Sequence, residues 1–237
     1  MTYSPGVNPD TESSNWRSPV ARALRGISCP RALCRVTISF FINLTSNATT
    51  AVRMTEGDPW DAILELFSPV ETGEAGQFEA LEGVRQAVPI CKFTAQLEGP
   101  AGKGTIAVGG VPPGSGIRNP QILEGRALQE GDSDSVILER NLARQCGVKV
   151  GDQAVIRYFG KESPVKVVGI LSGALPGEAY APLSLAQDIL GMGDMCMAFF
   201  LILDGDHDNV RHTLLEQGNV AQVTLKSEIV AKVLETT

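Results

Sequence analysis

Histidine is nearly missing from this 237-residue chain, and no stretch of it stays apolar long enough to cross a bilayer as a helix. His207 and His212 are the two histidines. They lie five apart, a poor spacing for two ligands on one helix face, with no cysteine nearby. The five cysteines, Cys29, Cys34, Cys91, Cys146 and Cys196, include no C-x-x-C pair and leave one unmatched. That argues against a zinc site, and a chain of this length does not read as a disulfide framework. Aromatic residues make up only 5% of the chain, so its core must be built from Val, Ile, Leu and Ala. No G-x-S-x-G occurs and no cysteine sits in a catalytic context, so an activated nucleophile is not indicated. The first fifteen residues lack a basic stretch followed by an apolar one and are not a signal peptide.

Charge is unevenly placed. Residues 13–55 carry six arginines and no acid, whereas residues 56–237 hold 14 basic and 25 acidic side chains. The acidic part should repel nucleic acid and anionic lipid. The apolar run Val36–Leu44, behind the arginines, is nine residues long. A membrane helix needs about twenty.

Several segments imitate binding motifs. Gly99 to Thr105 (GPAGKGT) resembles a phosphate loop, but the glycine spacing is short and a strand follows instead of a helix, so a hairpin turn is expected. Gly109 to Gly116 is glycine-rich without the dinucleotide spacing and reads as a linker. Asp204-Gly-Asp206-His-Asp208-Asn209 places oxygens at alternate positions, as a calcium loop does. Asn209 stands where the loop's glycine belongs and Leu215 where its final Glu belongs. An Asp cap at a helix start is the expected reading. Asp132 and Asp134 read as solvated turn residues. No catalytic, cofactor-binding or metal-binding residue is therefore assigned, and no cofactor is expected. If the chain has a working surface, it should lie near Glu124–Arg126 and the hairpin tip Lys161–Ser163, because loop tips on a rigid scaffold are usual contact points.

From Asp61 onward the pattern predicts strands and short helices. Strands are expected at Ala62–Phe67, Val84–Leu97 (broken near Pro89), Thr105–Val111, Met197–Leu203 and Val220–Leu225. Helices are expected at Glu74–Glu82, Ser184–Leu190, Asp206–Gln217 (Val210, Leu214 and Leu215 inward) and Ser227–Leu234, with Ser227 as N-cap. Between them Val136–Leu138 runs into a helix, Arg140–Cys146, that stops at Gly147 and leads to two strands joined near Gly160–Lys161. With this inner module set aside, the order reads βαββαβ, the ferredoxin-like order.

The wording LEGRALQEGDSDSVILERNLARQCGVKVGDQAVI, followed by VKVVGI and AYAPLSLAQDILGMG, resembles the extracytoplasmic core domain of MacB/FtsX-like ABC-transporter permeases. The likeness runs from about Asp58 to Glu235 and is strongest between Ile122 and Gly191. It implies an α+β fold in which a ferredoxin-like βαββαβ subdomain, residues 58–116 plus 195–237, is interrupted by an inserted small β-rich, barrel-like subdomain, residues 117–194. Residues 1–57 would be a poorly ordered leader with a degenerate first membrane segment. The resemblance further implies a non-enzymatic domain on the extracytoplasmic side of the cell membrane. It would relay conformational change and contact a substrate or a periplasmic or extracellular partner protein. The membrane-embedded remainder of the permease and a separate ABC ATPase would be its partners, no nucleic acid would be bound, and a homodimer is admitted. Because the chain ends before a second span, a fragment or truncated paralogue is expected, soluble if it is a true fragment. The alternative is a soluble small β-barrel binding or adaptor module. In that case Ala62–Phe67 and Val220–Leu225 should not share a sheet.

Overall fold

The computed structural model describes residues 57–172 and 177–235. The expectations for residues 1–56, including Val36–Leu44, Cys29 and Cys34, lie outside the described residues. Ten strands lie among the described residues: β1 Ala62–Glu71, β2 Val84–Gly99, β3 Gly102–Val111, β4 Ile122–Gly125, β5 Ser135–Glu139, β6 Gln153–Tyr158, β7 Lys161–Leu171, β8 Glu178–Pro182, β9 Met195–Leu203 and β10 Val220–Leu225. The helices are short: α1 Ala75–Glu79, α2 Arg140–Cys146, α3 Leu183–Leu190, α4 His207–Leu215 and α5 Lys226–Glu235. Among the described residues, no helix is long and apolar enough to cross a membrane.

One layer is an antiparallel sheet in the order β10-β1-β9-β2. Ala62 of β1 pairs with Leu225 on one side and Leu201 on the other. The first and last strands among the described residues therefore lie side by side, which the adaptor reading did not allow. Strand alternation splits the side chains between two faces. Leu64, Phe199, Leu201 and Val223 point to the face covered by Phe78 of α1 and by Val210 and Leu214 of α4. Ile63, Val88, Ile90, Phe200 and Ile202 point to the opposite face.

The second layer is a closed six-stranded barrel. Its circuit runs β2–β3–β8–β5–β7–β6 and returns to β2. Strand β4 is added to β7 outside the circuit. Leu97, Ile106, Val108, Val136, Leu138, Ile156 and Val167 fill the interior. Branched aliphatics dominate, as the scarcity of aromatics requires. Helix α2 follows β5 directly. The buried Glu139 carboxylate caps it by accepting from the Asn141 and Leu142 amides, and Gly147 closes it in the left-handed conformation at φ 69°.

Strand β2 joins the two layers. Ile90 pairs with Ala198 in the open sheet, and the next residue, Cys91, pairs with Gly110 in the barrel. The expected break at Pro89 does not occur. Up to Ile90 this strand is the edge of the open sheet, where a residue without an N–H removes no ladder bond. Strand β3, expected with the outer frame, pairs in the barrel because a tight turn at Pro100-Ala101 folds it back on the distal half of β2. Two further expectations change. Leu215 is exposed. Helix α5 begins at Lys226, so Ser227 is not its cap. Instead the Glu228 carboxylate reaches back to accept from the Leu225 amide at 3.2 Å.

Candidate functional site

The sequence-singled residues do not converge. Glu124–Arg126 and Lys161–Ser163 sit toward opposite ends of β7, because Glu124 pairs with Ile170. The eight-residue separation of Ile170 from Glu162 amounts to about 26 Å of strand. Arg126 is committed to Asp132 through bonds of 2.7 and 2.8 Å. Those bonds, above all, hold the Asp132 carboxyl well below the usual range, helped by the Gln129 amide and the Ser135 hydroxyl and opposed by partial burial. At the hairpin tip, Lys161 donates to the Asp188 carbonyl and Glu162 pairs with Arg157. The phosphate-loop imitation is the β2–β3 hairpin. Gly109–Val111 belong to β3, paired with β8. Asp206 caps α4 by accepting from the Asp208 amide, and Asp204 meets Arg85 at 3.5 Å. His212 is exposed and His207 half-buried on that helix. Asp134 is exposed, and its carbonyl accepts from the Lys166 amide. Cys91, Cys146 and Cys196 are buried free thiols.

A different set of residues is gathered at the junction of the two layers. An open groove of about 460 Å³ lies between the sheet face opposite α1 and α4 and the barrel strands β3 and β8, with Ile229 of α5 also in its lining. Its apolar lining includes Trp60, Ile63, Ile90, Val111, Tyr180 and Phe200. The Trp60 and Phe200 rings are 5.0 Å apart.

Arg118, in the connection between β3 and β4, spans the junction. One of its terminal nitrogens lies 2.6 Å from Asp58, which leads into β1, and the other 3.2 Å from Glu178 of β8. Its guanidinium lies 4.9 Å from the Tyr180 ring centre in the barrel and 5.9 Å from that of Phe200 in the sheet. Asp58 is buried, and it also accepts from the Asn119 amide at 2.7 Å and the Trp60 indole at 3.3 Å. Tyr180 donates its hydroxyl to Glu178. Arg118 Nε is buried without a partner.

Lys92, one residue past the point where β2 changes layers, places its amine 5.6 Å from the Phe200 ring centre. Loss of hydration draws its pKa below the ordinary lysine value. The Glu65 carboxylate opposes this shift and the Arg118 charge adds to it. Lys226 of α5 lies over Trp60 at 5.3 Å and donates to the Asp58 carbonyl at 2.6 Å. Sequence reading missed all of these residues because they are scattered from position 58 to 226. The one local signal was a Trp and an Asp placed just before the first strand.

Comparison with known proteins agrees with this architecture. A family model described as the MacB-like periplasmic core domain matches residues 34–227. The periplasmic region of MacB from Actinobacillus actinomycetemcomitans aligns with a TM-score of 0.56 at 14% identity, covering 76% of this chain and 94% of that one. The extracellular domain of the noncanonic ABC-type transporter YknZ from Gram-positive bacteria aligns with a TM-score of 0.51 at 16% identity, covering 69% of this chain and 98% of that one. At these identities the likeness is one of fold. No curated protein sequence matches the chain.

Proposed function

This chain belongs to the MacB-like periplasmic core domain family of ABC-transporter permeases, and on that premise we propose that it relays conformational change between a membrane-embedded permease and a partner or substrate outside the membrane. It does no chemistry of its own. ATP is handled by a separate ABC ATPase, and the domain works on the extracytoplasmic side, as one copy or as a homodimer. A ferredoxin-like frame, residues 58–116 with 195–237, carries the inserted module of residues 117–194. The sheet order β10-β1-β9-β2 supports that description of the frame, with the adjustment that β3 and the distal half of β2 build the barrel. Residues 1–57 would supply the leader and first membrane segment.

The observation that carries this reading is that the first strand and the last helix among the described residues meet. The Lys226 amide donates to the Asp61 carbonyl at 2.7 Å, so the strand that opens the domain and the helix that closes it start from one place. A domain held between two membrane segments needs that arrangement, since both supports must arrive together. The Arg118 bridge then makes the barrel follow the sheet. The Asp58 end of this bridge is buried, so breaking it from one side costs more than breaking a surface pair.

The test is purification of the tagged full-length protein from its native host. An ABC ATPase that accompanies it from the membrane fraction, with ATP hydrolysis altered by Arg118→Ala, is the expected result. Recovery from the soluble fraction with no ATPase would overturn the reading.

A further inference from the structure

The groove at the junction has a property that relaying motion does not require. Its two walls are apolar, its volume of about 460 Å³ falls within the range of small-ligand sites, and a lysine stands at its rim. Arg118 is already engaged by Asp58 and Glu178. Glu178 is engaged in turn by Arg118 and the Tyr180 hydroxyl. Lys92 is the lining cation that has no carboxylate within ion-pair distance among the described residues, although Glu65 acts on it from farther away. The floor is kept open at Gly109, where a Cβ would come within 3.2 Å of the Tyr180 ring.

From this juxtaposition we propose that the groove binds a single-chain amphiphile with an anionic head, the chain lying along Ile63, Val111, Tyr180 and Phe200 and the head pairing with the Lys92 ammonium. The charge pattern selects the ligand class. A cationic head would meet Lys92 and Arg118, and its natural partners, Asp58 and Glu178, are already taken. A neutral head would leave the Lys92 amine without a counterion over the Phe200 ring. A purely polar anion would gain nothing from the aromatic wall, since binding to such a wall scales with buried apolar area. The inference goes beyond the relay reading and does not depend on it, because it concerns only the groove of the folded domain.

The experiment uses the full chain carrying Trp16→Phe, which leaves Trp60 as its sole tryptophan. The probe is bromine-substituted dodecanoate, added below its micelle concentration. Saturable quenching of Trp60 is expected. Shortening the chain by two methylenes should weaken binding about tenfold. Lys92→Met should weaken it at least fivefold. Thr94→Phe, which crowds the groove from an exposed position, should abolish it. Both substitutions are at exposed residues, and unchanged melting will show that the variants fold. Dodecyl maltoside and dodecyltrimethylammonium should compete at least tenfold less well than unlabelled dodecanoate. Absence of saturable quenching overturns the proposal, as does equal affinity in Lys92→Met, equal competition by the neutral detergent, or a wild-type dimer that Thr94→Phe converts to monomer without changing the quench.

Discussion

Arg118 and Asp58 meet at 2.6 Å in a place neither strand order nor composition would single out, the junction between the open sheet and the barrel. The Asp58 side chain is 3% exposed and that of Arg118 17%. A pair so enclosed is costly to break from one side, because the remaining charge is left without either water or a partner.

Arg118→Ala should therefore destabilise the domain by about 3 kcal/mol, read as a fall in the urea midpoint at unchanged slope. Asp58→Asn should cost less when added to Arg118→Ala than alone. Strict additivity in that double-mutant cycle would mean the two residues do not interact energetically.

Helix α3 packs tightly over the barrel at Gly110. A Cβ there would lie 2.3 Å from the Ala186 Cβ. Gly110→Val should destabilise by about 1–3 kcal/mol or more through overpacking, whereas Gly218→Ala, with nothing within 4 Å, should be nearly silent. Equal thermal melting of the two variants would contradict the packing described.

Phe159 is the one non-glycine residue with a positive φ among the described residues, at 42°, and it is 94% exposed. Its ring rests on Tyr158 at 4.7 Å, but little surface is buried in return. Phe159→Gly should relieve about 1 kcal/mol of backbone strain and raise the melting temperature by a few degrees. A lower melting temperature would show that ring contact outweighs the strain.

Burial pushes the Cys91 thiol up to about 11 and the Cys196 thiol up to about 12, the latter with a smaller contribution from Cys91 beside it. Their folded values exceed the unfolded ones, so they favour the folded state below about pH 8.5, and that contribution is lost as pH rises through the folded values. Neither should react with iodoacetamide at pH 8 until urea unfolds the chain. Asp132 behaves oppositely. Arg126 holds its carboxyl low in the folded state, so its contribution is present above the unfolded value and is lost as pH falls. Asp132→Asn should flatten the loss of stability below about pH 4. An unchanged acid profile would contradict the pairing.

Local signals were legible where they were complete within a few residues. Gly147 after an apolar helix face, Asp206 before one, and Gly160 between two alternating strands each specify their own geometry, and each appears as expected. Pairing partners were less legible. Strand β2 runs for sixteen residues and serves two layers, and nothing at Cys91 announces the change. The change follows from which strand lies alongside, and that is settled by contacts with β9 and β3. The groove was hidden for the same reason. Its lining comes from seven separated stretches of chain between Trp60 and Ile229, and from residues that look ordinary singly: an alternating-strand lysine, a linker arginine and a pre-strand tryptophan.

The relay account rests on the sheet and barrel moving as one body. Spin labels at Glu162→Cys on the barrel hairpin and Gln222→Cys on the edge strand β10 report the distance between them, in a background with Cys29→Ser and Cys34→Ser that keeps the three buried thiols. Measured by pulsed electron resonance in the reconstituted transporter, the account predicts one narrow distance, the same with and without ATP, that broadens on Arg118→Ala. A distance that shifts with nucleotide in the unmodified joint would show that the two layers hinge against each other and would contradict it.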